Sequence, residues 1–237
     1  MKKAILTFVL IGLVGTLSAQ YSSSQRSAAV FMQTMERAST ETYYLPDDYI
    51  GSPYFMDTFL PGSIYENNEV VASDYYFRYN AIQDEIEVKE SPDADDSEIK
   101  ILTKAPDIYV KIMNDLFFYN TGDSNSDHNG YFQVLVVGNK FNLYKKLNKK
   151  LFPAKKARNS FEKDILATYK DKPVYYIVNE SGTFFDIPDS KKKRVNAFGN
   201  KKADINKFIK HNNLNMSEEH NLIKAFKYFD SFKDARL

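Results

Sequence analysis

The stretch Tyr131 to Leu147, YFQVLVVGNKFNLYKKL, limits what this chain can fold into more than any other. Tyr131 to Val137 is dense in β-branched and aromatic side chains, which suit a pleated, half-buried surface. Gly138-Asn139 breaks the run, and Phe141, Leu143 and Leu147 carry apolar character onward. This reads as two strands around a tight turn. A lone hairpin is only marginally stable in water, so other strands must flank it.

The rest of the chain offers such strands. Tyr75, Phe77 and Tyr79 alternate with Tyr76 and Arg78, which places the first three on one face. Ile86 and Val88 point one way, with Glu85, Glu87 and Lys89 toward water. Ile108, Val110 and Ile112 alternate with Tyr109, Lys111 and Met113. Residues 99–102 and 116–120 are further strands, and 174–178 with 183–187 form a hairpin around NESG. Pro61-Gly62 reads as a turn between brief edge strands, since proline cannot donate to a central ladder. Residues 161–169 fit a strand or a short helix. With short connections and no crossover helix, the strands should be mostly antiparallel. The expected fold is mainly β, a β-rich α+β protein whose antiparallel sheet, over residues 50–188, forms an open roll or partial barrel.

Helices are expected at both ends. Ala28, Phe31, Met32 and Met35 have helical spacing and predict a short N-terminal helix within a loose segment, residues 20–49. After Pro188 the pattern changes. Ser190 can cap a helix from Lys191 to Phe198, Asn200 a second carrying Ile205, Phe208 and Ile209, and Ser217 a third carrying Leu222, Phe226 and Phe229. Residues 189–237 are thus a helical appendage, whose short helices need a surface to pack on.

Residues 1–19 read as a signal peptide: Lys2 and Lys3, an apolar run from Ala4 to Leu17, then Ser18-Ala19 before Gln20. No later segment is apolar enough to predict a spanning helix. Without Lys2 and Lys3 the chain carries 30 basic and 31 acidic residues, which argues against a general nucleic-acid binder. Cysteine is absent, which excludes disulfides, thiol nucleophiles and thiolate metal sites. Aromatics reach 15%, with 17 Tyr and 18 Phe but no Trp, so either a tyrosine-rich wet sheet face or a recognition surface is expected.

No HExxH, GxSxG, phosphate-loop or dinucleotide pattern occurs. Catalytic residues are therefore not assigned, and a hydrolase with dispersed residues is the least favoured reading. No cofactor is expected. The alternative is a loose calcium site in DSNSDHNG, where Asp123, Asn125, Asp127 and Asn129 alternate around a turn; His128 occupies the place where an EF-hand loop needs glycine.

The candidates for partner binding are of two kinds. Tyr54, Phe55, Phe59 and Tyr65 form an aromatic segment broken by Pro and Gly. Lys145, Lys146, Lys149 and Lys150 begin a basic run that either meets an anionic partner or guards a sheet edge. Lys191, Lys192, Lys193 and Arg194 cluster at an expected helix start, the unfavourable end for cations, which hints at an acidic neighbour or partner.

Several segments taken in order, GSPYFMDTFLPGSIY, FRYNAIQDEIEV, GYFQVLVVGNKFNLYKKL and KKKRVNAFGNKKADINKFIKHNNLN, followed by LIKAFKYF, resemble an uncharacterised family of exported envelope proteins from Bacteroidota. The resemblance implies an envelope location and transfers no activity. The expected function is that of a non-enzymatic accessory protein in the periplasm or on the periplasmic face of the outer membrane, with the cell surface as the second location. Its partner would be another envelope protein or outer-membrane complex, with peripheral membrane association compatible. A module holding a lipid, glycan or small apolar ligand in a curved sheet is the alternative.

Overall fold

The structure is a computed structural model that describes residues 35–37, 49–122 and 127–237. Among the described residues fourteen strands follow in chain order: β1 (Met35–Arg37), β2 (Tyr49–Ile50), β3 (Leu60–Glu66), β4 (Glu69–Asn80), β5 (Glu85–Lys89), β6 (Lys100–Leu102), β7 (Ile108–Ile112), β8 (Asp115–Thr121), β9 (Asn129–Val137), β10 (Phe141–Lys146), β11 (Lys149–Phe152), β12 (Ala167–Asp171), β13 (Val174–Asn179) and β14 (Phe184–Ile187). A run of 3₁₀ turns, Arg194–Lys201, leads into helices α1 (Lys202–His211) and α2 (Glu219–Asp230).

Eleven strands form one sheet in the order β1-β6-β5-β4-β3-β7-β8-β9-β10-β13-β14. Every neighbouring pair in it is antiparallel, as short connections require. Between β10 and β13 the chain leaves this sheet and builds a second one, β11-β12-β2, in which β12 and β2 run parallel.

The expected open roll or partial barrel is not what forms. The large sheet ends at β1 on one side and β14 on the other, and these edges do not meet. The molecule is a mixed α+β fold on an open antiparallel sheet. The expected N-terminal helix is likewise corrected: residues 28–34 lie outside the described residues, and Met35–Arg37 pair with Lys100–Leu102 as a strand. Pro61-Gly62 is no turn. Both residues sit in β3, between β4 and β7 in the interior of the sheet order. Proline is tolerated because it stands near the strand start beside a register irregularity, and its carbonyl still accepts the Met113 N–H at 3.0 Å.

Strand alternation divides the side chains between two faces. One face carries Ile64, Phe77, Ile86, Val110 and Phe117 as one core cluster. Farther along the sheet it carries Phe141, Leu143, Tyr175 and Ile177, on which Ile205, Leu222, Phe226 and Phe229 of the helices pack. The short helices thus gain on the sheet the burial they cannot supply alone. Their caps differ from expectation: neither Lys201 before α1 nor Glu218 before α2 makes a side-chain cap. Glu219 in the first turn of α2 instead accepts from Lys145 Nζ at 2.7 Å and the Tyr175 hydroxyl at 2.9 Å, which anchors that positive helix end to the sheet.

Candidate functional site

The opposite face carries a row of rings. In register, Tyr65 faces Tyr109 across β3 and β7, Tyr109 faces Phe118 across β7 and β8, and Phe118 faces Phe132 across β8 and β9. An irregularity after Leu143 shifts β10 so that Tyr144 stands opposite Val134. Its ring lies 4.8 Å from that of Phe118. Tyr144 then faces Tyr176 on β13, and Phe184 on β14 closes the row 5.6 Å from Tyr176 and 5.2 Å from Phe132. His128 stacks on Phe184 at 4.9 Å. The rings therefore run across seven neighbouring strands, β3-β7-β8-β9-β10-β13-β14.

Phe132, Tyr176 and Val178 are buried in this row, while Phe118, Tyr144 and Phe184 are half-buried. The cluster draws no side chain from the helices. Cross-strand aromatic pairs contribute about 0.5–1.5 kcal/mol each beyond area burial, so the row stiffens the sheet as well as lining its surface. Burial raises the Tyr144 phenol and pushes that of Tyr176 up to about 12, where the Asp186 and Asp127 carboxylates add to it. Both hydroxyls stay protonated at neutral pH and can donate as well as accept.

Polar groups rim the row. Lys146 Nζ donates to the carbonyls of Asp127 (2.9 Å) and Asn129 (2.5 Å) and lies 5.6 Å from the Phe132 ring. Burial lowers its pKa, against the opposing pull of Asp84 and Asp127. His128 Nε2 stands 3.4 Å from Asp186 Oδ1.

The residues singled out in the sequence do not form one surface. Tyr65 belongs to the row. Tyr54 and Phe59 lie over the Arg78 guanidinium, at 3.7 and 4.4 Å, and Arg78 gives Glu87 Oε2 two hydrogen bonds, from Nε at 2.9 Å and Nη2 at 2.6 Å. Burial raises the Tyr54 phenol, reinforced by the Glu87 carboxylate. Glu87 and Lys89 do not point to open water; they are 7% and 6% exposed. The loop of residues 91–98, SPDADDSE, serves Lys89, whose ammonium meets the Ala94 carbonyl at 2.8 Å and Asp96 at 2.7 Å.

Phe55 turns to the core face, 6.4 Å from Phe117. With Lys145, Leu147, Lys149 and Pro173 it lines a small cavity of about 150 Å³. Lys145 is paired with Glu219 and Lys149 with Asp171 at 3.1 Å, while Lys150 lies 5.5 Å from the Phe152 ring. Lys191, Lys192 and Lys193 are exposed, but Arg194 is buried and donates to the Met216 carbonyl at 2.6 Å beneath the Tyr175 ring. Of the calcium candidates, Asp123 and Asn125 lie outside the described residues. Asp127 and Asn129 give their carbonyls to Lys146, and the Asn129 side chain accepts from Tyr119 at 3.0 Å.

Among the described residues no group of three or more His, Asp and Glu converges as a metal site. Nor, among them, is any helix long and apolar enough to cross a membrane. Phe118, Phe132, Tyr144, Tyr176 and Phe184 were not singled out in the sequence as a set. Period-two alternation marks them strand by strand, but only the register assembles them. Compared with protein-family models, curated proteins and solved structures, the chain shows no significant match.

Proposed function

We propose that the protein acts by binding, as an exported accessory protein of the cell envelope that presents its aromatic sheet face to another envelope protein. One observation supports this above the rest: the ring row across seven strands, on the face opposite the one that the helices cover. Tyrosine and phenylalanine bring large contact area at low entropic cost, and aromatic residues are enriched where interfaces carry binding energy. The leader-like residues 1–19 and the resemblance to exported Bacteroidota proteins support the envelope location. A small-molecule module is less favoured. Ligand clefts are typically about 300–1,000 Å³, whereas the cavity beside Phe55 is near 150 Å³ and the larger hollows, of about 400–490 Å³, are open at the surface.

The test is site-specific photocrosslinking in the native envelope. A photoreactive phenylalanine analogue at Tyr109 or Tyr144 should give one discrete protein adduct, and the same analogue at Lys224, an exposed position of α2, should give none. Adducts from Lys224 alone, or none from either tyrosine position, would overturn the reading.

A further inference from the structure

A second surface, independent of the aromatic face, lies on the helical side. The 3₁₀ run and α1 border an open surface groove of about 440 Å³. Val195 and Ile209, both half-buried, supply apolar lining. Lys191, Lys192 and Lys210 are exposed along it, together with the exposed Asn206. Among the described residues none of the three lysines has a carboxylate within salt-bridge distance, as is also true of the exposed Lys224 and Lys227 of α2; the groove differs in setting its lysines around apolar side chains.

The placement of these charges is uneven in its cost. Lys210 sits in the last turn of α1, where the helix dipole favours a cation. Lys191 and Lys192 precede the 3₁₀ run, where no such compensation acts. They repel Lys210 and one another, and the exposed Lys193 and buried Arg194 beside them add two more positive charges. Arg194 Nη1 donates to the Met216 carbonyl, and that bond ties the start of the 3₁₀ run to a residue lining the groove. A groove with apolar lining, edged by ammonium groups without carboxylate partners among the described residues, is complementary to carboxylates that flank an apolar side chain.

We propose that this groove binds an acidic peptide segment that carries an aliphatic or aromatic side chain between its carboxylates. The apolar side chain lies on Val195 and Ile209, the carboxylates meet Lys191, Lys192 and Lys210, and the Asn206 amide hydrogen-bonds the peptide backbone. A peptide is favoured over an anionic bilayer because Val195 and Ile209 are half-buried, whereas a membrane-surface helix projects its apolar side chains.

The probe is a fluorescent peptide, Glu-Glu-Leu-Phe-Glu-Glu, titrated into the full chain by anisotropy. Controls are Glu-Glu-Ser-Ser-Glu-Glu, Lys-Lys-Leu-Phe-Lys-Lys, and vesicles of phosphatidylcholine with phosphatidylglycerol. The first peptide should bind, weaken as salt is raised, and lose roughly tenfold or more in affinity in the Lys192→Glu/Lys210→Glu variant. A Lys224→Glu/Lys227→Glu variant, reversed elsewhere on the exposed helix surface, should bind as the parent does, and circular dichroism should show both variants folded. Binding of the serine peptide with equal affinity, association with the vesicles alone, or no loss in the groove variant would each overturn the proposal.

Discussion

The Asp230 carboxylate, at the end of α2, holds Asn139 in the β9–β10 turn: its Oδ2 accepts the Asn139 backbone N–H at 2.6 Å and the side-chain amide at 3.2 Å. Its Oδ1 accepts the N–H groups of Lys140 at 3.0 Å and Phe141 at 3.1 Å. A carboxylate at a helix C-terminus meets the negative end of the dipole. Three backbone donors, aimed at a side chain only 6% exposed as a residue, outweigh that repulsion. Asp230→Ala should therefore cost about 2–4 kcal/mol, since it strands these donors, and lower Tm by roughly 5–15 °C. Asp230→Asn should recover only part. Urea and thermal unfolding of both variants check this, and an Asp230→Ala protein as stable as the parent would refute it.

Arg78 fixes the segment around Tyr54 and Phe59 to the sheet. Its guanidinium gives two bonds to one Glu87 oxygen, one to the Asp57 carbonyl at 3.3 Å, and stacks against both rings. A lysine ammonium cannot donate in that fork and stack at once. Arg78→Lys should cost about 1–2 kcal/mol and loosen the segment. Hydrogen exchange at the amides of residues 54–59 is the readout. Protection equal to the parent's would show that the rings hold the segment without the arginine.

The limits of sequence reading are visible in these residues. Alternation marked β4, β5 and β7 and the faces of Phe77, Ile86 and Val110, because one buried face leaves a period-two pattern. The same pattern placed Glu87 and Lys89 in water, since alternation cannot show that Tyr54 and Phe59 return to cover the second face. The four-residue cluster Lys191–Arg194 was legible as charge, but only packing separates the buried Arg194 from its exposed neighbours. The parallel pairing of β2 with β12 joins residues more than a hundred positions apart, and no local signal announces it. The aromatic row is of the same kind: each ring is visible, and the register that aligns them is not.

The buried tyrosines set an alkaline limit. Burial is the first cause that raises Tyr79, Tyr131, Tyr175 and Tyr176, the last to about 12. In the unfolded chain these phenols ionise near 10, so the unfolded state sheds protons that the fold keeps. Their stabilisation is fully present below about pH 10 and is lost as pH rises through the folded values. Each contributes a slope of about 1.4 kcal/mol per pH unit in that window. Urea unfolding at about pH 9, 10 and 11 should show this decline, and Tyr176→Phe should make it shallower by one residue's share while the other three tyrosines keep the rest. Stability that stays level across that range would contradict the assignment.

Gly62 shows why a Pro-Gly pair that reads as a turn can belong to the interior of a sheet. A Cβ on Gly62 would fall against the Lys111 carbonyl of the neighbouring strand and 2.7 Å from the Phe77 ring. Phe77 is fully buried, and the backbone of β7 cannot retreat without breaking its pairing with β3. The glycine is there to let two strands and a ring approach, and a turn is not required. Gly62→Ala should destabilise by about 2–3 kcal/mol, with Ser63→Ala, one position on, near neutral. Adding Phe77→Leu to Gly62→Ala separates the two contacts. If the ring carries the strain, the double variant loses less than the sum of the singles, and if the Lys111 carbonyl carries it, the losses add. A Gly62→Ala protein with the parent's midpoint in urea would mean that β3 and β7 are less tightly joined than this geometry requires.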